Sequence, residues 1–173
     1  MRVMGIYLTA DNHFGHANVI RYCARPFGSA WHMDQVMIGR WNQVVTGADD
    51  VYHLGDFTLG GYDVFSTIVE QLHFRKLYIV PGGHDRRWLK DYPHESSQIE
   101  ILQPIHYLRH AGAFIVLCHY PMHSWERSHY GSLHLHGHCH GTIGCLSGPR
   151  RIDVGVDCHD FYPVHIQTLM NMV

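Results

Sequence analysis

The chain has no Cys-x-x-Cys pair, no apolar run of the ~18 residues that a membrane-crossing helix needs, and no surplus of either charge sign. Each absence removes a class of protein. Five cysteines, Cys23, Cys118, Cys139, Cys145 and Cys158, are an odd number, which argues against a disulfide framework and a thiolate zinc site; they read as reduced thiols. The N-terminus, MRVMGIYLTADNH, turns polar too soon for the hydrophobic region of a signal peptide. A cytoplasmic protein with no membrane association is the expectation. The formal net charge of -2 supplies no basic stripe to neutralise duplex phosphates, so strong duplex nucleic-acid binding is not expected.

What the chain does have is histidine, 18 copies against 13 Lys plus Arg. Histidine is the commonest metal ligand, and the excess raises that chemistry before any motif is read. The 173 residues with 46% hydrophobic content suit one globular domain, residues 1–173.

Val3 to Thr9 reads as a strand ending at Ala10-Asp11, with helices following from Ala17 to Ala24 and from Met33 to Val45. A second strand, VYHL at 51–54, halts at Gly55-Asp56; Val64 to Leu72 looks helical; a third strand, KLYIV at 76–80, runs into PGGHD. Strand, polar loop and helix in alternation predict βαβ units and a largely parallel sheet, whose ligands bind beyond the carboxyl ends of the strands. Ile99–Leu102, Ile105–Arg109, Ala113–Cys118, Ser132–His136 and Arg151–Val156 predict a second sheet, mixed or antiparallel, and Pro163 can open a terminal helix from Val164 toward Met172.

Polar clusters follow the predicted strands: Asp11-Asn12-His13, Gly55-Asp56, Gly83-His84-Asp85, and His119. A fifth is LHLHGHCHG, residues 133–141, whose histidines fall on every second position until Gly137 and Gly141 suggest a tight turn. Taken alone, Asp11 could be a helix cap and Asp56 a turn residue. Together the Asp and His donors, without thiolate, favour manganese, with zinc, iron, nickel or cobalt as alternatives, over calcium or a structural zinc knot. The candidate ligands exceed what one site uses, so two divalent metal ions are expected, with Asp56 the natural bridge. Metals about 3.5 to 4 Å apart stabilise both oxygens of an in-line phosphoryl displacement and generate hydroxide near neutral pH.

These residues resemble the calcineurin-like metallophosphoesterases. The match runs in order along nearly the whole chain: DNH at 11–13, HLGD at 53–56, GGHD at 82–85, CHYP at 118–121 and GHCH at 137–140. The resemblance implies an α/β fold of two packed mixed β-sheets flanked by helices, a four-layer α-β-β-α sandwich. It implies that Asp11, His13 and His140 hold the first metal and His119 and His138 the second, with Asp56 between them. His84 would act as the catalytic acid beside the substrate, oriented by Asp85. One block departs from the pattern: Gly83 stands where the family has an Asn ligand to the second metal. Restoring Asn there is expected to tighten the second metal and raise turnover.

His134 and His136 are assigned supporting roles, orienting the turn or lining the pocket, and Cys139 is expected to point away from its neighbours into the core. His53 is a candidate support behind the site. His16, Arg21, Arg25 and His123 are candidate substrate contacts; for the arginines, exposed helix charges are an equal reading. The aromatic and basic loop around Trp125, Arg127 and His129 could form a pocket wall or be ordinary surface. The expected activity is hydrolysis of phosphodiesters, nucleotide-type substrates included, by a metal-bridging hydroxide. The lean to diesters rests on the lack of a long capping insertion and of a dense basic cluster for a dianionic monoester. A phosphomonoesterase, or a metal and phospho-ligand binding module weakened at Gly83, are the rivals, and a homodimer is left open.

Overall fold

The computed structural model describes residues 4–93 and 96–173. Its first sheet has the order β10-β1-β2-β3-β4. β1 (Ile6–Thr9), β2 (Asp50–His53), β3 (Lys76–Ile79) and β4 (Ile99–Ile101) are parallel neighbours in sequence order. The Val3 at which the expected first strand begins lies outside the described residues. Short apolar runs separated by helices dictate this arrangement, because a parallel neighbour requires a crossover. α1 (Ala17–Tyr22), α2 (Ala30–Val44), α3 (Tyr62–Val69) and α4 (Arg86–Leu89) are those crossovers.

α2 shows the local logic. Ser29 caps it by accepting from His32 N–H at 3.1 Å. Met33, Met37, Ile38 and Trp41 then recur at helical spacing and are all buried. They pack with Val19, Val51, Phe65, Leu77, Ile79 and Trp88 in a core between helices and sheet. Trp88 stacks on Phe65 with centroids 3.9 Å apart. Truncating either ring to Ala would cost about 3–5 kcal/mol by the usual cavity penalty.

The second sheet has the order β5-β6-β7-β9-β8 and is mixed. β5 (Ile105–His110) and β6 (Ala113–Cys118) form a hairpin; β7 (Leu133–His136) and β9 (Arg151–Asp153) lie parallel beyond it; β8 (Leu146–Gly148) is the antiparallel edge. Ile115, Leu117, Leu133, Leu135 and Ile152 face Leu8, Tyr52, Leu54 and Val80 of the first sheet in a second core. The fold is therefore two five-stranded mixed sheets flanked by helices, as expected.

Two expectations need correction. The segment after Pro163 does not begin as helix: β10 (Val164–His165) pairs antiparallel with β1, and only Ile166–Met170 is helical, as α5. The open edge of β1 offers ladder hydrogen bonds to Val164 and His165, and those outweigh an early helix start. The cysteines are not all reduced either, since Cys145 and Cys158 form a disulfide, leaving Cys23, Cys118 and Cys139 free. The turn at Gly141–Gly144 returns Cys145 to the segment after β9, a meeting that spacing alone does not encode.

Candidate metal centre

The carboxyl ends of β1, β2 and β3 from one sheet and of β6 and β7 from the other open at one place. Backbone hydrogen bonds tie these ends together: Asp11 N–H to Gly55 O at 3.0 Å, His13 N–H to Asp56 O at 3.1 Å and Gly137 N–H to His119 O at 2.9 Å. Gly55 is required there. Its φ is +92°, and a β-carbon would lie 2.5 Å from Gly82 N.

Two groups of donors result. Asp11, His13 and His140 offer ligand atoms all within 4.8 Å of one another, and so do Asp56, His119 and His138. Asp56 lies between the groups: its Oδ2 is 3.4 Å from His119 Nε2 and 3.7 Å from His13 Nε2, while Oδ1 accepts from His84 N–H at 2.9 Å. Five of these six residues have positive φ: Asp11 at 60°, His13 at 52°, Asp56 at 58°, His138 at 71° and His140 at 48°. Such conformations cost non-glycine residues on the order of 1–3 kcal/mol each and cluster at functional sites.

Hydrogen bonding sets the imidazole tautomers. His119 Nδ1 lies 2.7 Å from Leu54 O and His140 Nδ1 lies 2.7 Å from Asp157 Oδ2. Both partners can only accept, so each Nδ1 carries the proton and each Nε2 presents a lone pair. Asp11 Oδ1, both ring nitrogens of His13 and His119 Nε2 are buried with no hydrogen-bond partner. Buried polar atoms are almost always satisfied, so unpartnered atoms on three residues gathered around Asp56 fit metal ions. The donor set is oxygen and nitrogen only in these two groups.

Burial pushes the Asp11 carboxyl up to about 7 and drives His13 down, so the imidazole is neutral. Burial would raise Asp56 too, but His119, the His84 N–H and His13 outweigh it and hold that carboxylate well below its usual range. Burial acts to lower His119, and Asp56 and Asp11 reverse the sign, leaving it raised. Each of these values belongs to the metal-free protein.

A cavity of about 720 Å³ opens over the two groups, lined by His13, His16, Asp56, His84, His138 and His140 on its polar side, and by Val19, Tyr22, Cys23, Ala24, Cys139 and Thr142. His16 and His84 thus line the cavity. Cys139 does not turn into the core as anticipated; the positive-φ turn that presents His138 and His140 leaves its side chain at the cavity wall.

Other candidates are placed elsewhere. Arg25 is buried and pairs with Asp157 through Nε and Nη2 at 2.8 Å, while Nη1 and Nη2 donate to Asn12 O at 2.9 Å and Asp11 O at 2.6 Å. Its remaining Nη1 donor points at Met33 Sδ at 3.4 Å, so the guanidinium braces the Asp11 loop and the Asp157 segment and none of its donors is left for substrate. Arg21 is exposed on α1 with its guanidinium over the Tyr22 ring, outside the cavity lining. His123 lines a separate cavity with Trp125, Ser147 and Arg151. Asp85 does not orient the His84 ring. It is buried and accepts from Asp56 N–H, Phe57 N–H, Gly82 N–H and Trp88 Nε1–H at 2.8 to 2.9 Å, so it holds the two loops against each other. His53 supports the site as anticipated: it accepts from Gly55 N–H at 3.1 Å and meets Asn12 Oδ1 at 2.9 Å, and burial lowers its pKa to about 3.

The sequence reading missed Asp153 and Asp157. Asp153 accepts from Gly141 N–H at 3.1 Å and Gly155 N–H at 2.8 Å, shaping the ligand turn, and Asp157 orients His140. Part of the signal was available: Asp153 closes β9, and Asp157 lies in the short turn that follows that strand, as Asp11 and Asp56 follow theirs.

No family model matches the chain. It is similar to an uncharacterized protein of Methanocaldococcus jannaschii, 29% identical over 180 residues that span all of this chain and 93% of that one. It is also similar to the Gene 66 protein of Mycobacterium phage D29, 26% identical over 191 residues and 92% of each chain. Among solved structures, a protein of unknown function from Aquifex aeolicus overlays 99% of this chain and all of its own with a TM-score of 0.77 at 24% identity. That overlay establishes a shared fold.

Proposed function

We propose that the protein is a metal-dependent phosphodiesterase of the calcineurin-like kind. The observation that carries this reading is the convergence of buried, unsatisfied donors from Asp11, His13 and His119 on the two sides of Asp56. Asp11, His13 and His140 would hold one divalent ion and Asp56, His119 and His138 the other, with Asp56 between the two groups. Manganese leads the candidates, ahead of iron, zinc, cobalt and nickel, because the donors are carboxylate and imidazole. When bound, such ions polarise a phosphoryl group and lower the pKa of water so that hydroxide forms near neutrality.

The chain's own groups supply the rest. Leu54 O and Asp157 keep the His119 and His140 lone pairs aimed inward. Asp85 and Arg25 fix the loops, so the donors need no rearrangement on binding. The His84 side chain is 55% exposed and its Nε2 is 3.9 Å from Asp56 Oδ2, a position from which it donates a proton to the departing oxygen. Among the described residues, no lysine or arginine lines the cavity. A singly charged diester suits that lining better than a doubly charged monoester.

The test is reconstitution of metal-stripped protein with each of the five ions, assayed on bis(4-nitrophenyl) phosphate and 4-nitrophenyl phosphate. The diester is expected to be cleaved with the larger kcat/KM, manganese supporting the highest rate. A preference for the monoester overturns the diester assignment, and no cleavage with any ion overturns the reading.

A further inference from the structure

Gly83 lies between Gly82, whose N–H is held by Asp85, and His84, whose N–H is held by Asp56. A β-carbon at Gly83 would meet one atom within 4 Å, the hydroxyl of Tyr120 at 3.1 Å. The space that a side chain at 83 would take is already filled by a phenol from the other sheet. Tyr120 follows His119 at the end of β6, and its ring packs edge-on against His119 and His138, 4.7 Å from each centroid. These two rings belong to the Asp56–His119–His138 group. Contacts on both of them hold the tyrosine so that its hydroxyl lies beside Gly83, next to the Asp56 and His84 junction. The residue is 46% exposed, so its contacts with His119 and His138 leave part of it open to solvent, beside the residues that line the cavity rather than among them.

We propose that Tyr120 is a further catalytic residue, its hydroxyl donating a hydrogen bond to a non-bridging oxygen of a phosphoester bound at the Asp56–His119–His138 group. This rests on the reading of the site as a phosphoester site. A cavity lined by no lysine or arginine has few donors for the equatorial oxygens, whose charge must be met as the displacement proceeds. A neutral phenol meets it without adding charge, which suits a monoanionic diester. Gly83 is the other half of the device: the absence of a side chain there makes room for the hydroxyl. Asparagine at 83 would compete with Tyr120 for that space, so the gain in second-metal affinity expected of Gly83→Asn is opposed by displacement of the donor.

Tyr120→Phe keeps the ring contacts and removes only the hydroxyl. The probes are manganese alone and inorganic phosphate, both titrated calorimetrically, with bis(4-nitrophenyl) phosphate for turnover. The expected result is unchanged manganese affinity, phosphate bound about tenfold more weakly by the manganese-loaded protein, and kcat/KM lower by about 10²-fold. Gly83→Ala should weaken phosphate binding in the parent and cost nothing further in the Tyr120→Phe background, a non-additivity that only a shared space explains. Unchanged phosphate affinity and turnover in Tyr120→Phe would refute the proposal, as would a parallel fall in manganese affinity, which would make the phenol a metal ligand. If the parent binds phosphate through Tyr120 yet cleaves no phosphoester, the contact stands and the hydrolase reading falls. If the manganese-loaded parent binds no phosphate, both fall.

Discussion

Within one stretch, LHLHGHCHG, two pairs of histidines share the same alternation and do opposite work. His134 and His136 sit on β7, buried, with every ring nitrogen engaged. His134 Nδ1 donates to Val116 O at 3.0 Å and Nε2 accepts from Met122 N–H at 3.1 Å; His136 meets Gly137 O and Ser147 Oγ, both at 2.8 Å. His138 and His140 stand past the strand end at positive φ and present their rings to the cavity. Gly137 divides the pairs. A β-carbon there would lie 2.6 Å from the Ala10 Cβ and 2.7 Å from Asp11 Oδ2, so only glycine lets the turn close on the Asp11 loop. A period of two places imidazoles on a face; the backbone's departure from the ladder decides whether they are packed or offered to a ligand.

Exchanging the pairs' fates in mutants gives the largest expected effect. His140→Ala should lower metal-dependent turnover by about 10³-fold or more, as loss of a metal ligand must exceed the 10–100-fold seen for supporting groups. Its metal-free stability should fall by only about 1–2 kcal/mol, through the lost hydrogen bond to Asp157, the positive-φ strain being unchanged because alanine keeps a β-carbon. His134→Ala should do the reverse, costing about 3 kcal/mol of stability through a cavity and two orphaned backbone groups, with kcat within a few-fold where the protein is folded. Urea titrations and manganese-dependent rates on both variants check this. Equal loss of turnover in the two would erase the distinction.

The pairs also differ in what restrains them. β7 is held by parallel ladders on both sides, whereas the His138–His140 turn is tied by the Cys145–Cys158 disulfide to the segment carrying Asp157. Closing a loop of this size is worth about 3 kcal/mol. Cys158→Ser should lose up to that amount in a thermal melt and also bind the first metal more weakly, because Asp157 would no longer be held against His140. A melt and a manganese isotherm identical to the parent's would show that the ladder alone holds both halves of the stretch.

Residue type at strand ends marked the six candidate donors, because parallel strands, β1 and β2 in one sheet and β6 and β7 in the other, send their carboxyl-end loops to one edge whatever the loop's own sequence. The alternation of strand and helix marked the first sheet, and the packing of two sheets into layers was implied by the family resemblance. What stayed hidden depends on where side chains point after distant segments meet. Arg25 looked like a phosphate grip and is a brace, since its five donors found Asp157, two carbonyls and the Met33 sulfur first. Asp85 looked like a partner for the adjacent imidazole, yet four N–H donors claim it, two from the Asp56 loop, one from its own loop and one from Trp88 on the following helix. The disulfide and the Tyr120–Gly83 contact join residues that share no motif, and the turn that brings each pair together is fixed by the whole sheet rather than by neighbours in sequence.

The smallest effect concerns pH and reads the packed pair alone. Burial lowers the His134 pKa from 6.5 to about 4, ahead of the opposing hydrogen bond to Val116 O. The folded state therefore holds this ring neutral where the unfolded chain would protonate it. Unfolding then takes up a proton between pH 6.5 and 4, so the ring's contribution is intact above 6.5 and declines as the pH falls toward 4. The limit is about 3 kcal/mol over that window, at about 1.4 kcal/mol per pH unit. Other groups titrate in the same range, His53 among them, so the parent's curve alone cannot be assigned. The difference between the parent and His134→Gln can, because Gln keeps an acceptor for Met122 N–H and does not titrate, while every other group is common to both. That difference should be flat from pH 8 to 6.5 and then move against the parent as acid is added. A difference constant down to pH 4 would mean that His134 is solvated or protonated in the fold, and the contrast with His138 and His140 would lose its physical basis.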